Sequence, residues 1–363
     1  MEISKIPNFY KNKKVFITGH SGFKGSWLAK TLDVFGAIVF GYSLKPDNEL
    51  NHYDLIEFNK AGVFSDISDV KKLSSTLNDF RPDIVFHLAA QPLVIQSYLD
   101  PLGTYKTNVI GTANLLESMK NIDSIKSAVI ITTDKVYKNI EKETFYNENC
   151  TLGGYDIYSS SKACCEILTE SYRNSFYNLD KYCSDHNLLI ATARAGNVIG
   201  GGDWSADRLI PDVLKAFDKG DAVLIRNPLA TRPWQHVLEP ISGYLMLAEK
   251  LFSKPSEFSS GWNFGPYDSD VQPVGWIINN MTKLWPGAAW VLDQEPNPHE
   301  AMLLKLDISK AAAGLNWTPT WDLKETLGCI VNWHQLWIEN NDMREVCCNE
   351  INKYCRDMNH GNN

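Results

Sequence analysis

The chain has 363 residues, 44% hydrophobic and 21% charged, which is enough for two packed lobes of an ordinary soluble protein. A formal net charge of −8 excludes the broad basic surface of a nucleic-acid binder, and no apolar run approaches the ~20 residues of a bilayer span. Met1–Lys14 is polar with no export-signal core, so a cytoplasmic location is expected, and the eight cysteines, none in a CxxC pair, are expected to be free thiols.

In chain order, Val15–Thr18 is a short β-rich run that ends in a glycine turn. Ser26–Phe35 then reads as a helix, with Trp27, Leu28, Leu32 and Phe35 at helical spacing. Strands are expected at Ala37–Tyr42, Val63–Phe64, Ile84–Leu88, Ala128–Thr132 and Leu188–Ala193, and helices at Val70–Phe80, Tyr105–Met119 and Tyr158–Phe176. Continuous apolar strands alternating with helices predict an α/β fold, a doubly wound parallel sheet of the Rossmann type, over residues 1–197. Beyond Asn197 the breaker Gly200-Gly201-Gly202 and frequent Pro and Trp predict a second, smaller lobe over 198–363 that binds substrate. Segments near 233–262 are expected to return to the first domain, and the polar tail after Asp357 to fray. No internal repeat is present.

Thr18-Gly19-His20-Ser21-Gly22-Phe23-Lys24-Gly25 places glycines three apart between a strand and a helix. Such a turn admits positive φ and lets backbone approach a pyrophosphate, which the helix N-terminus then holds with its N–H groups. The plain alternative is a tight turn with no ligand. An acidic residue at the end of the second strand, usual for holding ribose hydroxyls, is absent. Tyr42-Ser43-Leu44-Lys45 stands there, so Ser43 is left to hydrogen-bond, and Lys45 keeps a 2′-phosphate open. Asp66 either accepts from an adenine amino group or caps the following helix.

Tyr158 and Lys162 lie four apart on one helix face. A tyrosine lowered from its usual ~10 by a nearby ammonium and a nicotinamide cation takes a hydroxyl proton while hydride leaves. Thr132-Thr133-Asp134-Lys135 ends the fifth strand, where open parallel sheets bind ligands; otherwise it is a solvated loop. No histidine cluster has metal-ligand spacing, and Cys347-Cys348…Cys355 lacks paired spacing, so no metal is expected. His236 and His299 read as structural or as supporting the residues that touch substrate.

With these motifs, His87-Leu88-Ala89-Ala90-Gln91, Asn108-Val109-Ile110-Gly111-Thr112, Thr133-Asp134-Lys135-Val136-Tyr137, Arg194 to Trp204 and Arg232 to Val237, the chain resembles the extended short-chain dehydrogenase/reductase superfamily. Within it, the chain is similar to the sugar-nucleotide 4,6-dehydratases that act on CDP-glucose. The resemblance covers nearly the whole chain. The glycine turn and the Tyr–Lys pair are widely shared, whereas Asp134-Lys135 is more particular: dTDP-sugar dehydratases carry Asp-Glu there, and Lys135 marks the CDP-sugar branch.

The resemblance implies NAD as cofactor. Its contacts would come from Gly19, Gly22, Phe23, Lys24, Gly25, Ser43, Asp66, Ile67, Leu88, Ala89, Ala90, Asn108, Thr132, Tyr158 and Lys162. Catalysis would fall to Thr133, Asp134, Lys135, Tyr158 and Lys162, and CDP-glucose would be held by Gln91, Asn197, Arg208 and Arg232. Arginine suits a diphosphate because its planar fork gives paired, charge-assisted bonds. Lys135 would act as base with its amine kept neutral by desolvation and cationic surroundings, and Asp134 as acid. The resemblance further implies a homodimer formed through Tyr105–Met119 and Tyr158–Phe176, and a role in deoxysugar supply to surface polysaccharide. Two rivals remain: a sugar-nucleotide epimerase or reductase on the same fold, which needs no Asp134-Lys135 pair, and a non-catalytic dinucleotide sensor, which would not need Tyr158 and Lys162.

Overall fold

The computed structural model describes residues 6–46, 49–56, 61–140, 144–205, 208–253, 255–293 and 304–360. Seven strands form the central sheet: β1 (Lys14–Thr18), β2 (Ile38–Ser43), β3 (Gly62–Phe64), β4 (Ile84–His87), β5 (Ser127–Ile131), β6 (Leu189–Ala195) and β7 (Gly261–Phe264). Their spatial order is β7-β6-β5-β4-β1-β2-β3, all pairs parallel. The order reverses direction at β1, which opens a crevice between the carboxyl ends of β1 and β4.

Period-two alternation sends successive strand residues to opposite faces. Val15, Ile17, Phe86 and Val129 fall in one buried cluster, and Phe16, Val85, Ala128 and Ile130 in the other. Both faces are covered over β1, β2, β4, β5 and β6, which is why these strands read as mostly apolar runs, while the edge strand β3 is partly exposed. Around the sheet lie α1 (Phe23–Val34), α2 (Val70–Phe80), α3 (101–119), α4 (Ile157–Phe176) and α6 (Leu238–Ser253), with α8 (Met343–His360) against α1, while α5 (Leu209–Lys219) and α7 (Leu323–Ile338) pack apart from it.

Helix α3 is not a plain α-helix. It runs from Pro101–Tyr105 through a π turn at Lys106–Ile110 to Gly111–Met119. The carbonyl of Asn108 accepts from the Thr112 hydroxyl at 2.6 Å and from the Cys165 thiol at 3.1 Å. Single π turns of this kind inside α-helices recur at functional sites.

The second half of the chain is divided. Residues 238–264 supply α6, which packs on β5 and β6, and the edge strand β7. A separate apolar cluster joins Ile210, Val213, Phe217, Ile277, Met281 and Leu327. The tail does not fray at Asp357: α8 continues to His360 and buries Cys347, Ile351 and Tyr354 in the main core. All eight cysteines are free. No described helix is long and apolar enough to cross a membrane.

Candidate active site

The glycine turn stands at the carboxyl end of β1. Gly19 has φ +76°, and a Cβ there would lie 2.6 Å from the Ala89 amide nitrogen. A Cβ on Gly25 would lie 2.0 Å from the Gly19 carbonyl oxygen. Only glycines let the turn and the β4 end close together. Helix α1 then begins at Phe23, and its N-cap Gly22 offers no side-chain acceptor. The first-turn amides, which have no intrahelical acceptor, are thereby presented to an anion, and this arrangement fits the pyrophosphate of a dinucleotide.

Several expected contacts are spent within the protein. The Ser43 hydroxyl lies 3.0 Å from His20 Nδ1 and donates to Ser21 Oγ at 2.8 Å. Burial pushes His20 down to about 4, so that partner is neutral. Asp66 is exposed and accepts from the Ser68 amide at 2.7 Å, while the α2 cap is Asp69, which accepts from the Lys72 amide. The cap alternative for Asp66 is therefore excluded. Ile67 is buried in the core. Asn108, also buried, accepts from the Gln91 amide and donates to the Ser161 hydroxyl. The Gln91 side chain, expected toward substrate, instead donates to Leu93 O and Thr104 Oγ1 and accepts from the Leu93 amide. Leu88, Ala89 and Ala90 remain half-exposed just past β4.

Past β5 the chain makes one turn of 3₁₀ helix, Asp134–Val136, N-capped by Thr133. Asp134 is 2% exposed, and its Oδ1 accepts from the Thr133 hydroxyl at 2.9 Å and from Lys135 Nζ at 3.2 Å. Gly196, at the end of β6, makes room for it: a Cβ there would sit 3.2 Å from Asp134 Oδ2. The Lys135 side chain is 38% exposed, so the expected desolvation is not provided by the chain around it.

Asp156 caps α4 by accepting from the Ser159 amide. One turn on, Tyr158 and Lys162 face the β5 end, where Lys162 Nζ donates to the Ile131 carbonyl at 3.1 Å. Burial holds Lys162 below the ordinary lysine range. Burial, and then the Asp134 charge, push Tyr158 up to about 12, against its hydrogen bond with Thr133 and the Arg208 charge. The chain alone therefore keeps the phenol protonated at neutral pH, which leaves the expected lowering to the nicotinamide cation. Lys24 lies in the same field. Its Nζ is 3.5 Å from Tyr244 Oη, and burial, then the charges of Lys162 and Arg208, lower it to about 7.

Arg208 is the N-cap of α5 and pairs with Asp203 at 3.0 Å. Asn197 and Arg232 lie on two short strands, Asn197–Ile199 and Thr231–His236, that pair in parallel, with Asn197 opposite Trp234. His236 is buried and pairs with Glu350; His299 lies outside the described residues. Among the described residues, no group of three or more His, Cys, Asp or Glu is arranged to hold a metal.

Sequence reasoning missed Tyr244 and Gly196 as neighbours of the site, and also the ion pair beneath it. Glu166, one turn after Lys162, accepts from Arg194 Nε at 3.0 Å and Nη2 at 2.8 Å, from Thr192 Oγ1 at 2.6 Å and from Thr132 Oγ1 at 2.5 Å. The Thr132 side chain, expected toward cofactor, thus points into the core. No local spacing signals these partners.

The family profile "NAD dependent epimerase/dehydratase family" matches residues 15–261. The chain is 50% identical over 350 residues to the CDP-glucose 4,6-dehydratase of Salmonella typhimurium, covering 96% of this chain and 97% of that one. It is 25% identical to the dTDP-glucose 4,6-dehydratase of Haemophilus influenzae, over 88% and 97% of the two chains. Among solved structures, the UDP-glucose 4-epimerase of Thermotoga maritima superposes with a TM-score of 0.76 at 21% identity, over 90% of this chain and 99% of the other, a likeness of fold.

Proposed function

The chain belongs to the NAD-dependent epimerase/dehydratase family, and we propose that within it the chain converts CDP-glucose to CDP-4-keto-6-deoxyglucose by loss of water. The observation that carries this reading is the Asp134–Lys135 pair, 3.2 Å apart at the carboxyl edge of the sheet beside Tyr158. An epimerase needs one base for one hydroxyl. A second acid and base beside it suit an elimination.

In this reading Tyr158, aided by Lys162 and Thr133, takes the proton of the sugar C4 hydroxyl. Bound NAD supplies an acceptor for the C4 hydride and later a donor for C6. Once C4 is a ketone, the C5 hydrogen is acidic, and Lys135 removes it as a proton. Asp134 gives a proton to the C6 hydroxyl, which leaves as water as the C5=C6 bond forms; C6 then takes back the hydride and C5 a proton from Lys135, so no net reduced cofactor forms. The half-exposed Lys135 requires bound sugar to complete its desolvation. Arg208 and Arg232, with Asn197, hold the diphosphate end, and the turn from Gly19 to Gly25 holds the cofactor pyrophosphate.

The reading extends to assembly. Leu99, Leu102, Ile110, Ile167 and Phe176, on α3, α4 and the segment before them, are between 46% and 82% exposed, which suits burial against the same helices of a second copy. A dimer in light scattering that dissociates in Leu102→Glu tests this. A cytoplasmic enzyme feeding deoxysugars to surface polysaccharide is the corresponding cellular role.

The test is incubation with CDP-, dTDP-, UDP- and GDP-glucose plus NAD, followed by mass spectrometry. Loss of one water from CDP-glucose alone, without net NADH, is expected. Dehydration of another nucleotide sugar instead keeps the mechanism and overturns the CDP assignment; no water loss from any of them overturns the reading.

A further inference from the structure

The Asp134–Lys135 turn is only three residues long, and both ends of it are tied to the same buried ion pair. Upstream, the Thr132 hydroxyl donates to Glu166 Oε1 at 2.5 Å. Downstream, the Tyr137 hydroxyl accepts from Arg194 Nη1 at 2.6 Å and donates to Asn263 Oδ1 at 2.7 Å. Arg194 and Glu166 close the loop between those ends with two further hydrogen bonds. Thr132, Tyr137, Glu166, Arg194 and Asn263 are each 5% exposed or less. Asn263 is pinned in turn, its amide donating to the carbonyls of Tyr146 and Asp307.

A buried ion pair pays a large desolvation cost and is weak as a stabiliser, but a fully hydrogen-bonded one fixes geometry. Here the Glu166 carboxylate accepts four hydrogen bonds, so the pair is satisfied and rigid. Glu166 sits on the same helix as Tyr158 and Lys162, and it reaches the segment that carries Asp134 and Lys135 directly through Thr132 and, through Arg194, by way of Tyr137. β5 stops at Ile131, so beyond it the segment is held by a single antiparallel bridge, Tyr137 to Leu152, and by the Tyr137 hydroxyl, which ties that end to the ion pair.

We propose that Tyr137, through Arg194 and Glu166, is a positioning residue for the elimination half of the reaction: it aims Asp134 and Lys135 and leaves hydride transfer to Tyr158 and Lys162 undisturbed. The inference rests on the dehydratase reading. Loosening this end of the turn moves the base away from the C5 hydrogen and the acid away from the C6 hydroxyl. The electron pair of the C5–H bond then fails to form the C5=C6 bond as water leaves, and the 4-keto sugar waits beside reduced cofactor.

The test is Tyr137→Phe, which removes one hydroxyl and keeps the ring. Cofactor reduction is followed at the NADH absorbance band in a single turnover with CDP-glucose, and C5 exchange and product formation are followed in deuterated water. Cofactor reduction is expected to stay within a few-fold of wild type, C5 exchange and water loss to fall ~10- to 100-fold, and reduced cofactor to accumulate. Thr192→Val removes a different hydrogen bond to the same Glu166 and touches neither end of the turn, so it controls for loss of stability and should show no such split. Should Tyr137→Phe not fold, Asn263→Ala removes the acceptor of the Tyr137 hydroxyl and is expected to give the same split. Equal slowing of both halves, the same split in Thr192→Val, or no change in either half overturns the inference. Wild-type enzyme that forms no keto-deoxy sugar overturns the dehydratase reading and this inference together, whereas an active wild type with uniform slowing in Tyr137→Phe overturns this one alone.

Discussion

Titrating Tyr158 with and without NAD separates what the chain contributes to its acidity from what the cofactor adds. Burial pushes the phenol to about 12. Near pH 7.5 that leaves roughly 10⁻⁴ to 10⁻⁵ of the molecules as phenolate, too few for an effective base. A unit positive charge about 4 Å away, at an effective dielectric of about 20, is worth ~4 kcal/mol, or about three pKa units. One nicotinamide cation at that range would bring Tyr158 to about 9. The assay is single-turnover cofactor reduction against pH. Because the base must lose its proton, the rate is expected to rise about tenfold per pH unit from pH ~6 to ~9 and then level off. Tyr158→Phe should lose ~10²- to 10⁴-fold and flatten the profile. In the protein alone, the ultraviolet difference between wild type and Tyr158→Phe should show no titration below about pH 11. A phenol that already titrates below pH 9 without cofactor refutes this division of labour.

Asp134→Asn and Lys135→Met are expected to abolish water loss while cofactor reduction persists, so NADH absorbance should rise and stay; unchanged dehydration would remove both residues from the chemistry. Gly25→Ala drives a Cβ to 2.0 Å from the Gly19 carbonyl, a backbone atom that no rotamer change can clear. NAD affinity by calorimetry should fall ~10- to 100-fold, the equivalent of ~1–3 kcal/mol, and wild-type affinity would contradict the close-packed turn. Glu239, fully buried beneath the amides of Thr320 and Trp321 and the Tyr354 hydroxyl, is pushed by burial from 4.5 up to about 7. The folded protein holds this proton more tightly than the unfolded chain, so its contribution is full below about pH 4.5 and is lost as pH rises through about 7, by on the order of 3 kcal/mol. Thermal melts should show wild type losing stability relative to Glu239→Gln between pH 5 and about 7.5, and a constant difference between the two would show that Glu239 does not titrate there.

Much of the site was legible because its signals are local. Gly19, Gly22 and Gly25 sit within one turn, Tyr158 and Lys162 are one helical turn apart, and Asp134-Lys135 directly follows an apolar strand. Each pattern is fixed by backbone geometry over fewer than ten residues. Strands β1, β2, β4, β5 and β6 were legible for the same reason, since burial on both faces makes them mostly apolar, whereas the edge strand β3 is partly exposed and shows only as Val63–Phe64.

What the sequence left open depends on side chains far apart in the chain. β7 has four residues, Gly261–Phe264, and is a strand only because it lies beside β6 in register, Gly261 against Thr192 and Phe264 against Ala195. At the π turn of Lys106–Ile110 the Asn108 carbonyl accepts from Thr112 and from Cys165, and Cys165 is on another helix. Gln91, Ser43, Asn108 and Thr132 look like ligand-binding residues in isolation, but tertiary packing gives each a partner inside the protein. The sequence by itself determined which elements form and which reactive groups stand at the ends of the strands, because those follow from local spacing and apolar content. Only the tertiary structure decided which polar side chains are left for ligand and which are spent on one another, because a buried polar group must find a partner and that partner can lie anywhere in the chain.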